Sequence, residues 1–389
     1  MRRIVLKSGR EAPVRGGHPW IFSGAIAAGL DGAEPGEPVE VRSAGGRLVA
    51  GGYCNPRTPI TVRVVTLEEE PVDARLVARR VEDALALRRA TLPADLTAYR
   101  VLNGEGDRLP GVVADRYGEF VVCQFLTAGA ARLAPAVVEA LAAAFSPRGV
   151  FERSEGAVRT EEGLAGTRGV LAGEEPPLRI PIEEAGARFL VDVHHGQKTG
   201  FFLDQRETRA RVRALASGRR VLNAFAYAGA FAIAAALGGA GEVVSVDTSR
   251  PALGLAEEAW AANGLPPERA KFVAADVFDF LRGAGERWDL VILDPPAFVR
   301  RRRDLTSGLR GYKDVNLQAF RRLVPGGWLV TCSCSQHLPR AAFREVVAAA
   351  ASDAGRAPIV VAEAGHPPDH PVALGHPEGE YLKVLTLRT

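Results

Sequence analysis

The chain has 389 residues, of which 47% are hydrophobic and 24% are charged, and its formal net charge is +3. That length is too great for one ordinary hydrophobic core, so two or three domains are expected, and so mild a charge does not by itself indicate nucleic acid. There is no uninterrupted apolar run of about 18 residues, and the N-terminal segment becomes charged again too soon for a signal peptide. We therefore expect a cytoplasmic protein without a membrane span. The four cysteines lack the paired spacing of a zinc site, so no metal site is predicted.

Residues 1–68 have the pattern of short strands broken by turns. Apolar and charged residues alternate at 39–42, two glycines at 45 and 46 favour a turn, and the alternation returns at 60–65. These signals predict a small β-rich domain over 1–68.

Residues 69–175 mix helical and strand signals. Apolar residues fall near helical spacing over 71–91, and an alanine-rich helix is predicted over 130–145. Strand signals occur within 109–118 and at 120–125 and 149–152. The region is predicted to be a central α+β domain, followed by a linker at 173–177.

The last predicted domain, 176–389, opens with a hairpin-like segment and then alternates apolar strands with helices. Strands are predicted at 220–223, 242–247, 271–273, 289–293 and 328–332. Helices are predicted at 230–237, 277–281 and 314–323, and another is capped by Ser249 and ends at Gly264. Such an order specifies an α/β domain with a parallel sheet between helices. Ligands of these sheets bind beyond the carboxyl ends of the strands, where several polar residues of this chain fall.

A loop with a single glycine follows the first strand of this sheet. It contains Asn223, Phe225, Tyr227 and Gly229. One glycine argues against a dinucleotide, because its pyrophosphate requires several close backbone approaches. The loop suits a ligand group without phosphate, such as the amino-acid tail of S-adenosylmethionine, and an ordinary strand-to-helix turn is the alternative.

Two carboxylates follow at the next strand ends. Asp247 is placed to accept hydrogen bonds from a ribose diol, and Asp276 is placed to meet an adenine amino group. A strand-end aspartate is often a helix cap instead. Because the two occur at successive strand ends after a one-glycine loop, the sequence predicts an S-adenosylmethionine site.

The chemistry is predicted at the next two strand ends. Asp294 precedes two prolines, which fix the backbone and hold its carboxylate toward the space above the sheet, and Phe298 is placed to stack on a flat ring. Cys332 and Cys334 lie in the following segment, Thr-Cys-Ser-Cys-Ser. A thiolate that adds to carbon 6 of cytosine makes carbon 5 nucleophilic, and Asp294 would contact the ring nitrogen and exocyclic amine. The alternative is that both thiols are small core residues.

Four consecutive arginines follow the Asp-Pro-Pro turn, namely Arg300, Arg301, Arg302 and Arg303. Adjacent cations beside a catalytic site repel one another unless an anion is bound, and RNA phosphates are a natural partner. A solvated loop is the competing interpretation.

Together these motifs resemble the bacterial large-subunit ribosomal RNA cytosine-C5 methyltransferases that carry an N-terminal PUA domain. The resemblance runs nearly end to end. It rests on the segments 17–22 (GHPWIF), 151–154 (FERS), 197–206 (QKTGFFLDQR), 246–249 (VDTS), 294–296 (DPP), 310–314 (RGYKD), 333–335 (SCS) and 369–371 (DHP).

The resemblance implies an RNA-binding PUA domain, a central α+β domain and a Rossmann-like class I methyltransferase domain. It also implies S-adenosylmethionine as cofactor and large-subunit ribosomal RNA as partner. It places the catalytic thiol at Cys334, leaves Cys332 without a role, and makes Lys198 and Asp204 secondary cofactor candidates and Lys313 an RNA candidate. Many RNA cytosine-C5 methyltransferases have a second cysteine after Asp-Pro-Pro, where this chain has Ala297, so the base that releases product is unassigned. A homodimer is one expectation for the oligomeric state.

Two other functions fit parts of the pattern. The first is a purine methyltransferase acting on guanine N7 or N2, which needs no cysteine because the nitrogen already carries a lone pair. The second is a non-catalytic RNA-binding assembly factor that keeps the fold. A need for Cys334 in methyl transfer would distinguish a cytosine enzyme from a purine enzyme. Binding of S-adenosylmethionine together with methyl transfer to RNA would exclude a non-catalytic assembly factor.

Overall fold

The computed structural model describes residues 1–283 and 285–389, which form two compact units. The N-terminal unit comprises Met1–Ile180, Val191–Leu203 and Pro368–Gly379. The C-terminal unit comprises Pro181–Leu190, Asp204–Pro367 and Glu380–Thr389. The regions 1–68 and 69–175, predicted as separate domains, thus lie in one compact unit.

The N-terminal unit begins with a six-stranded sheet. Its elements are β1 (Arg2–Leu6), α1 (Ala12–Arg15), β2 (Trp20–Phe22), β3 (Ile26–Ala28), β4 (Glu37–Arg42), β5 (Leu48–Cys54) and β6 (Ile60–Thr66). The strand order is β2-β6-β5-β4-β1-β3, with β1 parallel to β4 and the other pairs antiparallel. The alternation in β4 buries Val39 and Val41 while the residues between them stay partly exposed, as a one-sided sheet requires.

A second sheet, of five strands, follows. Its elements are α2 (Ala74–Thr91), β7 (Ala98–Asn103), β8 (Val112–Tyr117), β9 (Phe120–Phe125), α3 (Ala128–Phe145), β10 (Gly149–Ser154), α4 (Ala157–Glu161) and β11 (Thr167–Gly173). The order is β11-β10-β9-β8-β7. Helix α2 begins at Asp73, whose side chain accepts the Leu76 N–H, and its apolar residues join those of α3 in one core with the sheet.

Helix α3 is, among the described residues, the one helix long and apolar enough to cross a membrane by length and composition. Such a helix alone is weak evidence for a span, because core helices have the same composition. Here Ala130, Val137 and Leu141 pack into the core that α3 shares with α2.

The C-terminal unit holds the predicted α/β sheet, after the hairpin of β12 (Ile180–Glu184) and β13 (Ala187–Val191). Its strands are β14 (Arg220–Ala224), β15 (Glu242–Asp247), β16 (Ala270–Ala274), β17 (Trp288–Leu293), β18 (Leu323–Ser333), β19 (Ile359–Ala364) and β20 (Lys383–Arg388). Its helices are α5 (Arg206–Leu215), α6 (Ala230–Leu237), α7 (Arg250–Ala262), α8 (Val277–Arg282), α9 (Leu305–Arg322) and α10 (Arg340–Asp353).

The strand order is β16-β15-β14-β17-β18-β20-β19. The first five strands are parallel, and β20 is antiparallel to both of its neighbours. The carboxyl ends of β14, β15, β16, β17 and β18 therefore share one edge of the sheet. The predicted ligand-binding residues that follow these strands all lie at this edge, whereas Lys198 and Asp204 lie in the segment before α5.

Two elements begin earlier than predicted. Helix α9 starts at Leu305 instead of 314 because Gly308 and Gly311, which break a helical pattern in sequence, let the helix pass close to Phe298. Strand β18 starts at Leu323 instead of 328 because its pairing with β17 shifts register across the Pro-Gly-Gly segment, which in sequence indicates a turn.

Candidate active site

The loop between β14 and α6 has a strained backbone. Phe225, Tyr227 and Gly229 adopt φ angles of 60°, 47° and 72°. A left-handed conformation costs a bulky residue on the order of 1 kcal/mol or more, and such strain concentrates at ligand sites. At Gly229 a Cβ would lie 2.6 Å from the Cβ of Ala256 on α7. Glycine is thus required here both by its backbone conformation and by the close approach of α7.

Asn223, near the end of β14, is fully buried, and within the described parts of the chain neither polar atom of its side chain has a hydrogen-bond partner. Ser245 pairs with it in register on β15, and its buried hydroxyl also has no partner. An unsatisfied buried polar group costs about 1–3 kcal/mol, so such groups usually mark a place for a ligand or water. Ser245 lies inside β15, and Asn223, next to the end of β14, is the one of the two that fits a polar cofactor at the ligand-binding edge.

Asp247 holds the strained loop in place. Its Oδ2 accepts the Tyr227 N–H at 2.8 Å, and its Oδ1 accepts the Ser249 N–H at 2.8 Å. Each carboxylate oxygen keeps a second acceptor direction, which suits a ribose diol. Ser249 caps α7 as predicted, since its hydroxyl accepts the Ala252 N–H.

Asp276 acts as a helix cap. Its side chain is exposed, and Oδ1 accepts the Asp279 N–H at 3.1 Å at the start of α8. The cap interpretation therefore holds at this position, and the contact with adenine stays a prediction.

The Asp-Pro-Pro turn lies beside the cofactor loop. The Asp294 N–H approaches the Ala224 carbonyl at 3.5 Å, and the rings of Phe225 and Phe298 are 6.5 Å apart. The Asp294 Oδ1 accepts a hydrogen bond of 2.9 Å from the Nε2 of Gln205. The predicted cofactor and chemical residues thus meet at one edge of the sheet.

Gln205 and Asp204 precede α5 and are 3% and 4% exposed. Asp204, a predicted cofactor residue, accepts a 2.8 Å hydrogen bond from the Tyr381 hydroxyl. Gln205, which orients Asp294, was not predicted, although it lies in the quoted segment 197–206. A neutral amide at a helix start carries no distinctive sequence signal.

Cys334 lies just beyond β18. It is partly exposed, whereas Cys54, Cys123 and Cys332 are buried. Its Sγ is 3.8 Å from the Pro295 carbonyl, so the thiol adjoins the Asp-Pro-Pro turn. Burial, together with the nearby Asp294 charge, raises the pKa of Cys332 well above its ordinary value. The two cysteines therefore have different environments, and only Cys334 combines access with proximity to the turn.

Hydrogen bonds on both sides of Cys334 fix its backbone. The Tyr312 hydroxyl lies 2.9 Å from the Oγ of Ser333 and 2.9 Å from the Oγ of Ser335. Ser335 also accepts the Val299 N–H at 3.0 Å. Burial raises the pKa of Tyr312 to about 12, so this residue serves as a neutral anchor. Tyr312 lies in the quoted segment 310–314, but nothing in the sequence places it under the thiol.

Lys383, at the start of β20, also adjoins this segment. It is 1% exposed, and its Nζ donates to the Ser335 carbonyl at 2.6 Å. Burial lowers the pKa of this lysine to about 8. Lys383 was not predicted, although a lone lysine before an apolar strand is a detectable signal.

The predicted RNA contacts have varied surroundings. Phe298 is half-buried, with its ring centroid 4.8 Å from that of Tyr312, so it forms part of the site wall. Lys313 pairs with Asp353 on α10 at 2.8 Å. The four arginines are all exposed: Arg300, Arg301, Arg302 and Arg303. Among them, the Arg301 N–H donates to the Asp304 carboxylate at 3.0 Å, at the start of a short 3₁₀ turn.

Lys198 belongs to the N-terminal unit, whereas the other cofactor candidates belong to the C-terminal unit. It has a left-handed backbone with φ 52°, and its Nζ lies 4.5 Å from the centre of the Phe202 ring. The structure thus places it in a cation–π contact.

Comparison with known proteins identifies the family. A model of S-adenosylmethionine-dependent methyltransferases matches residues 167–373, and a model of PUA-like domains matches 4–67. The chain belongs to the S-adenosylmethionine-dependent methyltransferases. The family uses S-adenosylmethionine as its methyl donor, so this is the cofactor of the chain. The predicted methyltransferase and PUA-like domains are confirmed.

Two relatives resemble this methyltransferase over nearly its whole length. The chain is 42% identical to ribosomal RNA large subunit methyltransferase I of Salmonella arizonae, covering 99% of this chain and 97% of the relative. It is 45% identical to the protein of that name from Photobacterium profundum, covering 98% and 97%. A solved structure assigned as a methyltransferase and complexed with SAH superposes with a TM-score of 0.88 at 23% identity, covering 100% of both chains, which shows the same fold.

Proposed function

We propose that this methyltransferase modifies carbon 5 of a cytosine in large-subunit ribosomal RNA through a covalent adduct with Cys334. The observation that carries the proposal is the position of the partly exposed residue Cys334, whose Sγ lies 3.8 Å from the Pro295 carbonyl in the turn that begins with Asp294. The names of the two relatives support ribosomal RNA as the substrate.

S-adenosylmethionine, when bound, would supply an electrophilic methyl group for carbon 5 and would leave as S-adenosylhomocysteine. We assign its ribose to Asp247, its amino-acid tail to the loop that contains Phe225, Tyr227 and Gly229, and its adenine to the side of the site near Asp276. The unpartnered amide of Asn223 supports a polar ligand at this edge. Asp247 is well suited to this role because the two backbone N–H groups that bind it hold its carboxylate rigid.

Cys334 and Asp294 carry the chemistry on the cytosine ring. The thiolate forms a bond to carbon 6, and the electron pair of the C5–C6 double bond becomes available at carbon 5, which takes the methyl group. Asp294, oriented by Gln205, accepts a hydrogen bond from the exocyclic amine and shares a proton with the ring nitrogen, which becomes basic as the thiolate adds, and it thereby stabilises the adduct. Loss of the carbon-5 proton to a base restores the double bond and expels the thiolate.

The target base must leave its stack to reach Cys334, which costs a few kcal/mol. Phosphate contacts from the exposed run Arg300–Arg303 and contacts from the PUA-like domain offset this cost. Phe298 forms the wall of the pocket that receives the ring.

The test is to map 5-methylcytosine in large-subunit ribosomal RNA after reaction with wild-type, Cys334→Ala and Cys332→Ala proteins. Cys334→Ala is expected to lose methyl transfer and keep its affinity for S-adenosylmethionine, while Cys332→Ala keeps activity. Full activity in Cys334→Ala would refute the proposal, and a methyl group on guanine N7 or N2 would identify a purine enzyme instead. Cofactor binding without any methyl transfer by the wild-type protein would indicate an assembly factor.

A further inference from the structure

Lys383 is a buried cation without an ionic partner among the residues that the structure describes. Its ammonium has three donors, and its one hydrogen bond goes to the neutral carbonyl of Ser335. A lysine that is 1% exposed is rare unless it is paired, because burial removes the water that stabilises its charge. A residue this costly calls for an anion in its surroundings.

The charged and titratable groups around Lys383 are few. Glu380 precedes β20, but Arg340 of α10 binds its carboxylate at 2.7 Å. The remaining neighbour is Cys334, whose negative form favours the protonated lysine and thereby opposes the effect of burial. Two neutral groups also lie near the Cys334 thiol: Tyr312 of α9 and the buried Cys332 near the end of β18. The carboxylates of Asp294 and Asp204 lie near Cys332.

Strand register explains this arrangement. In the antiparallel pair of β18 and β20, Lys383 stands opposite Ser333. The chain then leaves the strand at Cys334, and the lysine side chain reaches the carbonyl of Ser335. The Lys383 ammonium is therefore hydrogen-bonded to Ser335, the residue directly after Cys334. Lys383 lies on β20, which pairs with β18, the strand that ends just before Cys334.

We propose that the Lys383 ammonium is the counterion that keeps Cys334 in its thiolate form. Lys383 is thus a positioning residue, and its use in catalysis rests on the proposed function, whereas the effect on the thiol itself does not. A nearby cation in a dry site favours ionisation of a thiol, and a thiolate is the reactive nucleophile. The nearby carboxylate of Asp294 opposes this ionisation, which is why a cation is needed beside the thiol.

The experiment measures the rate of alkylation of Cys334 by iodoacetamide as a function of pH, with peptide mass spectrometry to locate the label. Cys334 is the one partly exposed cysteine of the four, so the reaction reports on it selectively. The proteins compared are wild type, Lys383→Met, Lys383→Arg and the control Lys271→Met. Lys271 is an exposed lysine on β16 that pairs with Glu242 at 2.8 Å.

In the wild-type protein the rate is expected to have its midpoint below pH 8, under the ordinary thiol value of about 8.5. Lys383→Met is expected to react at least about tenfold more slowly at pH 7, because removal of an adjacent positive charge raises the pKa of a thiol by about one unit or more. Lys383→Arg keeps the charge and therefore the fast reaction, and Lys271→Met matches wild type. A wild-type midpoint at or above 8.5, or equal rates in wild type and a folded Lys383→Met, would overturn the inference.

Methyl transfer gives a second readout that separates this inference from the proposed function. Because a neutral side chain at 383 leaves the thiol with its ordinary acidity, Lys383→Met is expected to transfer methyl groups slowly at pH 7 and to recover as the pH rises through about 8.5, whereas Lys383→Arg keeps wild-type activity at both pH values. If alkylation depends on Lys383 but Cys334→Ala still methylates RNA, the proposed function fails and the inference about the thiol stands. If alkylation is independent of Lys383 and Cys334→Ala is inactive, the inference about the thiol fails and the proposed function stands.

Discussion

The cofactor side and the thiol side of the active site are built in different ways. On the cofactor side, Asp247 accepts hydrogen bonds from the backbone of Tyr227 and Ser249, and the backbone of the loop from Asn223 to Gly229 is itself strained. On the thiol side, the supports are side chains from other elements: Tyr312 and Lys383 bond the residues that flank Cys334, and Gln205 bonds Asp294 from 89 residues away. Backbone contacts within the α/β sheet therefore shape the proposed cofactor site, while side chains from several separate elements set the environment of the thiol.

The strongest test of the cofactor side is Gly229→Val. A branched side chain at φ 72°, with its Cβ 2.6 Å from Ala256, combines backbone strain with overpacking and is expected to cost about 4 kcal/mol of unfolding free energy. Urea denaturation and calorimetry with S-adenosylmethionine would measure the lost stability and the lost binding. Gly254→Ala is the matched control, because this helical glycine of α7 has open space around it and is expected to stabilise the protein by about 0.5–1 kcal/mol. Equal effects of the two substitutions would contradict the proposed close approach.

On the thiol side, burial of Lys383 should appear in the dependence of stability on pH. Its pKa falls from an ordinary 10.5 to about 8 in the folded protein, so between these values the unfolded chain binds more protons. Wild-type stability relative to Lys383→Met should therefore rise by up to about 3 kcal/mol from pH 8 to pH 10.5. A difference between the two proteins that is constant across this range would show that the lysine is not desolvated.

Asp247→Ala should weaken binding of S-adenosylmethionine by about 1–3 kcal/mol, because it removes charge-assisted hydrogen bonds and releases the strained loop. Asp276→Ala is the comparison, and its smaller effect follows from its exposed position as a helix cap. Isothermal titration calorimetry would measure both. An unchanged dissociation constant for Asp247→Ala would mean that the ribose lies elsewhere.

The smallest effect is expected at Lys313. Its ion pair with Asp353 joins two helices at the surface, and an exposed pair of this kind contributes less than about 1 kcal/mol. Lys313→Met should therefore barely change stability, so any loss of affinity for RNA in a filter-binding assay can be attributed to contact with RNA. A loss of affinity that is independent of salt concentration would argue against a phosphate contact.

The difference between the two sides also explains what the sequence can predict. The order of strands and helices in the C-terminal sheet follows from apolar periodicity, and its ligand-binding edge follows from the parallel topology. The cap at Ser249 is equally local and was predicted correctly. Gln205, Tyr312 and Lys383 were missed as supports of the thiol and its carboxylate, because their roles arise only when segments far apart in sequence pair in the folded chain.

Asp276 and Phe298 illustrate a second limit. An aspartate after a strand has the same sequence signal whether it caps a helix or binds adenine, and here it caps α8. An aromatic residue after Asp-Pro-Pro has the same signal whether its ring is open for stacking or packed, and here Tyr312 lies 4.8 Å away. Deciding between such alternatives requires knowledge of neighbours that the local sequence does not contain.

The central claim is tested most directly by trapping the adduct. A fragment of large-subunit ribosomal RNA with 5-fluorocytosine at the modified position has no carbon-5 proton to lose, so the bond from sulfur to carbon 6 should persist after methyl transfer. With S-adenosylmethionine, the wild-type protein is expected to form a denaturation-resistant RNA complex whose cross-linked peptide contains Cys334, and Cys334→Ala should form none. A cross-link at another residue, or no cross-link from a wild-type protein that methylates the unmodified fragment, would contradict a covalent role for this thiol.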